Sequence, residues 1–328
     1  MNLIIPMAGK GTRLRPHTLS TPKPLIEIAG KTIIERIVDI VLSSSSNKIE
    51  NIGFIIEQKN EETEKMLRDV GHRTKTKTQV FYQHEPKGTA HAIYCARKLL
   101  TSQTLIIFAD TLFEAELKFP QDADGCVFVK EVDDPSSYGV VTLAKNGHIK
   151  EFVEKPETNI SNLAIVGIYY FKNGIILEKE LKEILENKIK IKGEYQITTA
   201  LENLKNKNQK FVSRKIKKWF DFGTPTNLLN SHSKILTKQE IKIPKFKNTQ
   251  IYLPCYIADN VQITNSIIGP NVSVGSGTII DSSKIKNTII QRNTKIIGAN
   301  FDESIIGSNV EYNKNHRSVN IGDYTNLK

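Results

Sequence analysis

The residues near the N-terminus have the types and spacing that suit polyphosphate binding. A short apolar run at 3–6 leads into the glycine-rich sequence Ala8-Gly9-Lys10-Gly11-Thr12-Arg13, and Pro22-Lys23-Pro24-Leu25 follows after a short loop. Backbone N–H groups of a glycine-rich turn after a strand are accessible to phosphate oxygens, because no side chain blocks them. Arg13 and Lys23 add positive charge to the same segment. The segment is therefore predicted to bind a polyphosphate.

Two common nucleotide-binding motifs are excluded by the positions of the glycines. Gly9-Lys10 and Gly30-Lys31-Thr32 resemble the end of a Walker A motif, which requires a glycine five residues before the Gly-Lys pair. Those earlier positions hold Ile4 and Leu25, so the chain is not a P-loop NTPase. A dinucleotide-binding motif is disfavoured as well, because Leu14 stands where its third glycine belongs.

Further motifs follow along the chain in a fixed order. They are Gln83-His-Glu-Pro-Lys-Gly88-Thr89, Asp110 after an apolar run, Tyr138-Gly139-Val-Val followed by Glu154-Lys155-Pro156, Gly193-Glu-Tyr-Gln-Ile-Thr198, and Trp219-Phe-Asp221-Phe-Gly-Thr-Pro225. With the N-terminal segment, this set resembles the signature of the sugar-1-phosphate nucleotidylyltransferases, which include glucose-1-phosphate thymidylyltransferases and related uridylyltransferases. The resemblance extends over residues 1 to about 230.

The resemblance implies an in-line displacement in which a sugar-1-phosphate oxygen attacks the α-phosphorus of dTTP or UTP and pyrophosphate leaves. Two anions must then be brought together, and this requires cations at the reacting phosphates. The resemblance implies catalytic roles for Arg13 and Lys23, nucleotide binding by Ala8, Gly9, Gly11, Thr12, Gln83, Gly88 and Thr89, sugar-phosphate binding by Gly139, Glu154 and Lys155, and Mg²⁺ ligation by Asp110 and Asp221. Carboxylates with retained water suit this hard cation.

The residues that would contact the base favour a pyrimidine. Uracil and thymine present one N3–H donor between two carbonyls, and a glutamine amide with a backbone group can match that edge. Gln83 and Gly88 occupy the positions of the family's pyrimidine readers. The run Gly-Thr-Ala-His-Ala at 88–92 resembles the uridylyltransferases, whereas the pattern around Glu154 equally resembles the thymidylyltransferases. UTP and dTTP therefore both remain open, with glucose-1-phosphate or N-acetylglucosamine-1-phosphate as the favoured sugar.

Structural interpretations compete with these roles at several positions. Asp110 at a strand end could form a turn, Lys155 before Pro156 could be a solvated turn residue, and His91 within a helical run is interpreted as packed. The competing functions are a bifunctional nucleotidyl- and acyltransferase, a mannose-1-phosphate guanylyltransferase and a non-catalytic regulatory subunit of the same fold. The chain also departs from the family at 108–111, where Phe-Ala-Asp-Thr replaces the frequent Leu-Gly-Asp-Asn.

The elements that must position these residues alternate between strands and helices over about the first 170 residues. Such alternation predicts an α/β fold with a Rossmann-like, mostly parallel sheet covered by helices. In sheets of this type, ligands bind at the carboxyl ends of the strands. The functional residues are therefore expected just after Pro6, Tyr82 and Ala109.

A different sequence pattern begins near residue 251 and predicts a hexapeptide-repeat, left-handed parallel β-helix. An apolar residue recurs every five or six positions, at Ile257, Ile263, Ile268, Val274, Ile280, Ile285, Ile290 and Ile296. We predict a catalytic domain at 1–235, a linker at 236–250 and the β-helix, of roughly four coils, at 251–328. His316 is the only histidine after Ser233, which favours oligomerisation or regulation over acyl transfer as the role of this domain.

The composition limits the class of protein and its partners. The chain has 328 residues, 39% of them hydrophobic, which suits about two domains. No apolar run approaches the roughly 18 residues of a membrane helix, and the three cysteines form no disulfide or metal spacing. The net charge of +11 is a weak indication of nucleic-acid binding. The expectation is a cytoplasmic enzyme that binds a nucleoside triphosphate and a sugar-1-phosphate, binds neither nucleic acid nor membrane, and forms a homo-oligomer.

Overall fold

The computed structural model describes residues 1–238 and 243–315, and the chain divides into two compact units. The sheet unit comprises Met1–Gly9 and Ile37–Trp219. The β-helix unit comprises Lys10–Arg36 and the described part of Phe220–Lys328. The domain limits predicted from the sequence, 1–235, 236–250 and 251–328, stay a prediction.

Six helices and thirteen strands precede the repeats in the described part of the chain. The helices are α1 (Ile33–Ser44), α2 (Glu61–Thr74), α3 (Thr89–Cys95), α4 (Gly174–Glu186), α5 (Ile197–Asn206) and α6 (Pro225–Leu236). The strands are β1 (Asn2–Pro6), β2 (Glu27–Ile28), β3 (Lys31–Thr32), β4 (Asn51–Ile56), β5 (Lys77–Tyr82), β6 (Thr104–Ile107), β7 (Thr111–Glu114), β8 (Gly125–Glu131), β9 (Gly139–Leu143), β10 (Ile149–Glu154), β11 (Leu163–Phe171), β12 (Phe211–Lys215) and β13 (Lys218–Asp221). No described helix is both long enough and apolar enough to cross a membrane.

The sheet unit is built on a nine-stranded sheet, which confirms the predicted Rossmann-like fold class. The order is β10-β9-β11-β6-β1-β4-β5, with β8 beside β11 and β12 beside β8. Strands β6, β1, β4 and β5 run parallel, whereas β11 is antiparallel to β6. Every residue of β1 is buried, as expected for a parallel strand covered by helices on both faces.

The carboxyl ends of these parallel strands lie at one edge of the sheet, where the sequence placed the functional residues. The backbone continues the sheet ladder there, since the Gln83 N–H donates to the Ile56 carbonyl at 2.8 Å and the Ala109 N–H donates to the Pro6 carbonyl at 3.2 Å. Residues that follow the strands therefore leave the sheet from fixed positions.

Helix α5 is the main element that the sequence reasoning did not identify. Its buried residues include Ile197, Ala200, Leu201 and Leu204, which recur at the spacing of one helix face. A helical periodicity was therefore present in the sequence, although the two threonines after Ile197 have a low helix propensity. Helix α3 ends at Cys95, and a 3₁₀ turn, Arg97–Leu99, follows.

The repeats form a parallel β-helix of four coils within the described residues, which confirms the fold predicted for this region. Its strands are β14 (Gln250–Ile251), β15 (Cys255–Ile257), β16 (Gln262–Thr264), β17 (Ile267–Ile268), β18 (Val272–Val274), β19 (Ile279–Asp281), β20 (Lys284–Ile285), β21 (Thr288–Ile290), β22 (Lys295–Ile297), β23 (Asn300–Phe301), β24 (Ile305–Ile306) and β25 (Glu311–Asn313). They form three four-stranded sheets, β14-β17-β20-β23, β15-β18-β21-β24 and β16-β19-β22-β25. All eight apolar residues that defined the repeat are buried.

Asparagines occupy many corners of the β-helix, in a backbone conformation that most side chains avoid. Asn, whose short side chain hydrogen-bonds locally, tolerates this positive φ better than bulkier residues do. The residues concerned are Asn248, Asn260, Asn265, Asn271, Asn287, Asn293 and Asn309. Successive corners are also joined, since the Asn271 amide donates to the Asn287 side-chain oxygen at 3.0 Å. These contacts fix where each coil turns.

Candidate active site

The amide of Gln83 is held in one orientation at the end of β5. Its nitrogen lies 3.1 Å from the Gly88 carbonyl oxygen and 3.0 Å from Nδ1 of His91. A carbonyl oxygen only accepts, so the atom beside it must be the amide NH₂, and His91 Nδ1 must accept the second hydrogen. Gln83 is 6% exposed, and no described residue donates to its side-chain oxygen. An oriented acceptor is thus left in a nearly buried side chain.

Gly88 immediately precedes α3, at a position where only glycine fits. Its φ is 111°, and a Cβ there would lie 2.4 Å from the Tyr195 carbonyl oxygen. The backbones on either side are joined as well, because the Tyr195 N–H donates to the Lys87 carbonyl and the Ala90 N–H donates to the Tyr195 carbonyl, both at 2.9 Å. The loop that carries Gly88 is therefore fastened to the backbone at Tyr195.

Thr89 is hydrogen-bonded to the two residues that follow Tyr195, namely Gln196 and Ile197. Its hydroxyl donates to the Gln196 side-chain oxygen at 3.0 Å and accepts from the Ile197 N–H at 2.9 Å. The Gln196 amide in turn donates to the Glu194 carboxylate at 2.9 Å. The Thr89 hydroxyl thus both donates and accepts, and the N-terminus of α3 is held in place.

The residues predicted to bind the sugar phosphate meet across strands β9 and β10. Gly139 and Glu154 are paired in register, and a Cβ at Gly139 would lie 3.1 Å from the Glu154 carboxylate. The Thr198 hydroxyl donates to the same carboxylate at 2.9 Å. The Glu154 carboxylate is therefore a positioned hydrogen-bond acceptor.

Lys155 lies in a strained turn immediately before Pro156. Its φ of 44° is uncommon for a residue with a side chain and is of the kind found at functional positions. The turn is closed on both sides, since the Lys155 N–H donates to the Tyr138 carbonyl at 3.0 Å and the Lys192 ammonium donates to the Lys155 carbonyl at 3.2 Å. The backbone that carries the Lys155 ammonium is thus fixed.

Asp110 follows β6 and is exposed, as the strand-end prediction requires. The pKa of the buried Tyr169 is raised. The main cause is burial, and the negative charges of Glu154 and Asp110 add to it. Both carboxylates are therefore close enough to Tyr169 to affect its hydroxyl electrostatically.

In the β-helix unit, Gly11 and Lys23 converge in the N-terminal loop, which we define as residues 10–32. Gly11 has a φ of 58°, and a Cβ there would lie 3.1 Å from Thr18 and 3.4 Å from Cβ of Lys23. The Thr18 hydroxyl donates to the Gly11 carbonyl at 2.8 Å. Lys23 is only 9% exposed, which is unusual for a lysine. Thr12 and Arg13 are exposed in the 3₁₀ turn that follows Gly11.

Asp221 and Arg13 approach the same turn of the β-helix unit. One Asp221 oxygen accepts from the Gly223 N–H at 2.7 Å, and the other accepts from the Asn227 amide at 2.5 Å. A Cβ at Gly223 would lie 3.2 Å from a terminal nitrogen of Arg13. Each carboxylate oxygen has more than one acceptor position, so the two hydrogen bonds orient the group and leave capacity for a cation.

The remaining predicted nucleotide residues, Ala8 and Gly9, follow β1. Ala8 is buried, whereas Gly9 is exposed and a Cβ there would meet nothing within 4 Å. The space beside Gly9 is therefore open. This agrees with a backbone that a phosphate can approach, although a side chain would also fit.

A family model described as nucleotidyl transferase matches residues 3–238 of this chain. The chain belongs to the nucleotidyl transferase family. This membership confirms the resemblance that the motifs indicated. The match covers the sheet unit together with residues 10–36 and 220–238 of the β-helix unit, and every described strand of the repeats lies beyond it.

Three relatives from this nucleotidyl transferase family differ in their named activities. The bifunctional protein GlmU of Methanocaldococcus jannaschii is 32% identical, over 98% of this chain and 81% of its own. The mannose-1-phosphate guanylyltransferase catalytic subunit beta of Xenopus tropicalis is 29% identical, over 83% of this chain and 74% of its own. The glucose-1-phosphate thymidylyltransferase of Streptomyces antibioticus is 26% identical, over 100% of this chain and 99% of its own.

One solved structure supports the fold of this nucleotidyl transferase. A glucose-1-phosphate thymidylyltransferase from Bacillus anthracis, crystallised with sucrose, superimposes with a TM-score of 0.61. It covers 75% of this chain and 98% of that one at 23% identity. At this identity the likeness concerns the fold alone.

Several residues that position the site of this nucleotidyl transferase were not given roles from the sequence. Tyr195, Gln196 and Thr198 belong to the motif 193–198, which the sequence analysis noted without a function, and His91 was interpreted as packed. His91 lies within α3 and also accepts from Gln83. All four have polar side chains and lie inside a motif, but the partners of Tyr195, Gln196 and Thr198 are far away in sequence.

Proposed function

We propose that this chain transfers a nucleotidyl group from dTTP or UTP to a sugar-1-phosphate, with glucose-1-phosphate or N-acetylglucosamine-1-phosphate as the favoured acceptor. A phosphate oxygen of the sugar forms a bond to the α-phosphorus. The bond from that phosphorus to the β-phosphate oxygen breaks, and pyrophosphate leaves. The products are a nucleotide sugar and pyrophosphate.

The observation that carries this proposal is the 194–198 segment, which fastens two groups of residues at once. Tyr195 and Gln196 hold the loop of Gly88 and Thr89, assigned to the nucleotide. Two residues later, Thr198 holds the Glu154 carboxylate, assigned to the sugar phosphate. An enzyme that joins two substrates needs both in fixed orientation, and one rigid segment that serves both sides supplies it.

Positive side chains supply the charge that this reaction requires. Arg13 and Lys23 would neutralise the triphosphate and the departing pyrophosphate, and Lys155 would hold the sugar phosphate. Fixed cations at the positions where charge develops stabilise the transition state, because they need no reorganisation during the reaction. The burial of Lys23 and the closed turn at Lys155 support this assignment.

Magnesium is proposed as the cofactor, with Asp110 and Asp221 as its protein ligands. Among the described residues, no group of three or more His, Cys, Asp and Glu side chains could hold a metal ion by itself. Two carboxylates with water and triphosphate oxygens suit Mg²⁺, which keeps several non-protein ligands. When bound, the ion would offset the negative charge of the phosphates. The oriented Asp221 carboxylate fits this role.

The orientation of Gln83 supports a pyrimidine base. Both amide hydrogens are taken up by Gly88 and His91, so the side-chain oxygen is left as an acceptor. The N3–H of uracil or thymine is a donor that this oxygen can bind. Guanine also carries a ring N–H donor, so the relative that uses GTP makes a purine control essential.

The test is pyrophosphate release with Mg²⁺ across dTTP, UTP, CTP, GTP and ATP, each paired with glucose-1-phosphate, N-acetylglucosamine-1-phosphate and mannose-1-phosphate. We expect release with dTTP or UTP and one sugar. Preference for a purine triphosphate would keep nucleotidyl transfer but contradict the proposed role of Gln83. If no pair reacts while calorimetry detects nucleotide binding, the non-catalytic subunit replaces this proposal.

The proposed setting is a cytoplasmic homo-oligomer. All three cysteines are free thiols, which suits a reducing compartment. The exposed edges of the end coils of a β-helix suit contact with another copy. His316, the residue on which the argument about acyl transfer depended, lies outside the described residues.

A further inference from the structure

The N-terminal loop is fastened to the β-helix within the β-helix unit by a two-point hydrogen bond. The Gln291 amide nitrogen donates to the Glu27 carbonyl at 2.9 Å, and its side-chain oxygen accepts from the Glu27 N–H at 3.3 Å. One side chain thereby satisfies both backbone groups of one residue. The two positions are 264 residues apart in sequence.

The base of this contact is rigid. Gln291 directly follows β21, and its own backbone N–H donates to the Ile306 carbonyl of the next coil at 2.9 Å. Its carbonyl accepts from the Thr278 hydroxyl at 3.2 Å. The amide is therefore presented from a fixed corner between two coils.

Glu27, the residue that Gln291 holds, is close to Lys23 along the chain. The Ile26 N–H donates to the Lys23 carbonyl at 3.1 Å, and Glu27 follows as the first residue of β2. Strand β2 pairs only briefly with β3, two residues against two. So short a hairpin is marginally stable by itself, so an external anchor is needed to fix the backbone beside Lys23.

Two further contacts hold the same hairpin. A Cβ at Gly30 would lie 2.3 Å from the Tyr256 ring of β15, so the ring packs directly on the turn. The Arg36 guanidinium donates to the Ile28 and Ala29 carbonyls. Burial raises the pKa of the Glu27 carboxyl, and the positive charge of Arg292 opposes this shift.

We propose that Gln291 is a positioning residue for nucleotidyl transfer, and that the β-helix fixes the N-terminal loop so that Lys23 is presented in a single backbone conformation. The kinetic part of this proposal rests on the proposed function. The structural part does not, because it concerns the mobility of the loop alone.

The test compares Gln291→Met with Gln262→Met in the full chain. Methionine keeps nearly the same volume but removes both hydrogen bonds. Gln262 is an exposed glutamine of β16 whose side chain makes no hydrogen bond with a described residue, so it is the matched control. Amide hydrogen exchange of residues 14–32 is measured first, and kcat and KM for both substrates follow.

We expect Gln291→Met to speed exchange in residues 14–32 by about ten-fold and to lower kcat by about ten-fold with little change in KM for the sugar phosphate. Gln262→Met should behave as wild type in both measurements. Gln291→Ala serves as a second variant, and should match Gln291→Met if the hydrogen bonds and not the packed stem matter.

Three results would overturn the proposal: unchanged exchange and kcat, faster exchange with unchanged kcat, or lower kcat with unchanged exchange. If the wild-type protein transfers no nucleotidyl group at all, the proposed function fails. The exchange measurement would still show whether Gln291 holds the loop.

Discussion

The sheet unit and the β-helix unit position their functional residues by different means. In the sheet unit, Gln83 and Asp110 follow the carboxyl ends of the parallel strands β5 and β6, so local structure determines where they begin. In the β-helix unit, Lys23 lies in a loop whose hairpin is held by a glutamine 264 residues away. The comparison teaches that a regular sheet needs little help to present a side chain, whereas a loop needs contacts from elsewhere.

The two units also differ in the elements that hold their predicted site residues. Within the sheet unit, the 194–198 segment holds residues of two loops through hydrogen bonds to Thr89 and Glu154. Within the β-helix unit, the anchor is a coil whose own geometry is repeated and rigid. Substitutions of single side chains in each unit distinguish these two arrangements.

Lys23→Ala should lower kcat by about a thousand-fold, because a cation that stabilises the reacting phosphates is lost. The measurement is steady-state pyrophosphate release with the best substrate pair. Lys31→Ala, which removes an exposed lysine elsewhere in the same loop, is the control and should retain activity within about two-fold. Similar losses in both variants would show that the loop acts only through its overall charge.

Lys155→Ala should raise KM for the sugar phosphate by about 10–100-fold while nucleotide binding changes by less than about two-fold, because a charge-assisted contact to one substrate is removed. Kinetics with each substrate varied in turn, together with calorimetry of the triphosphate, measure the two effects. Lys150→Ala, on the strand β10 that precedes the turn, is the control. Equal weakening of both substrates would make Lys155 a structural residue of the turn.

Thr198→Val should raise KM for the sugar phosphate by about ten-fold, because the Glu154 carboxylate loses the hydroxyl that orients it. The neighbouring Thr199→Val is a sharp control, since the Thr199 hydroxyl is buried and no described residue hydrogen-bonds to it. Its removal should leave KM unchanged and not lower the melting temperature. If both variants behaved alike, the Thr198 hydrogen bond would have no specific role.

The smallest effect is expected at His91, and it should depend on pH. Burial lowers the pKa of His91 below its usual value of 6.5, the positive charge of Lys87 lowers it further, and Glu85 opposes the shift. The neutral ring accepts from Gln83, so kcat/KM for the pyrimidine triphosphate should be constant above pH 6.5 and fall as the pH drops through the lowered pKa. Protonation would place a donor against the Gln83 NH₂.

Two variants separate this role from packing. His91→Asn keeps an acceptor near the position of Nδ1 and should retain most activity without the acid decline. His91→Phe keeps the volume but removes the acceptor, and should lower kcat/KM for UTP and dTTP by about five-fold. A wild-type profile that is flat to acid pH, or equal activity of both variants, would contradict the assigned role.

Local sequence patterns were enough to predict the fold class, the repeats and the strand ends. Alternating strand and helix patterns fixed the Rossmann-like sheet, and apolar residues at every fifth or sixth position fixed the β-helix, because both patterns are local and repeat many times. All eight repeat residues are buried. The short motifs likewise indicated the nucleotidyl transferase family, whose model matches residues 3–238.

The side chains that orient the predicted site residues were revealed only by the tertiary structure. The hydrogen bonds from Thr198 to Glu154 and from Gln291 to Glu27 join positions 44 and 264 residues apart. A single sequence carries no periodic signal for such pairs, because each depends on where two unrelated elements meet after folding. The identity of the reacting groups is therefore local information, whereas their orientation is a property of the assembled chain.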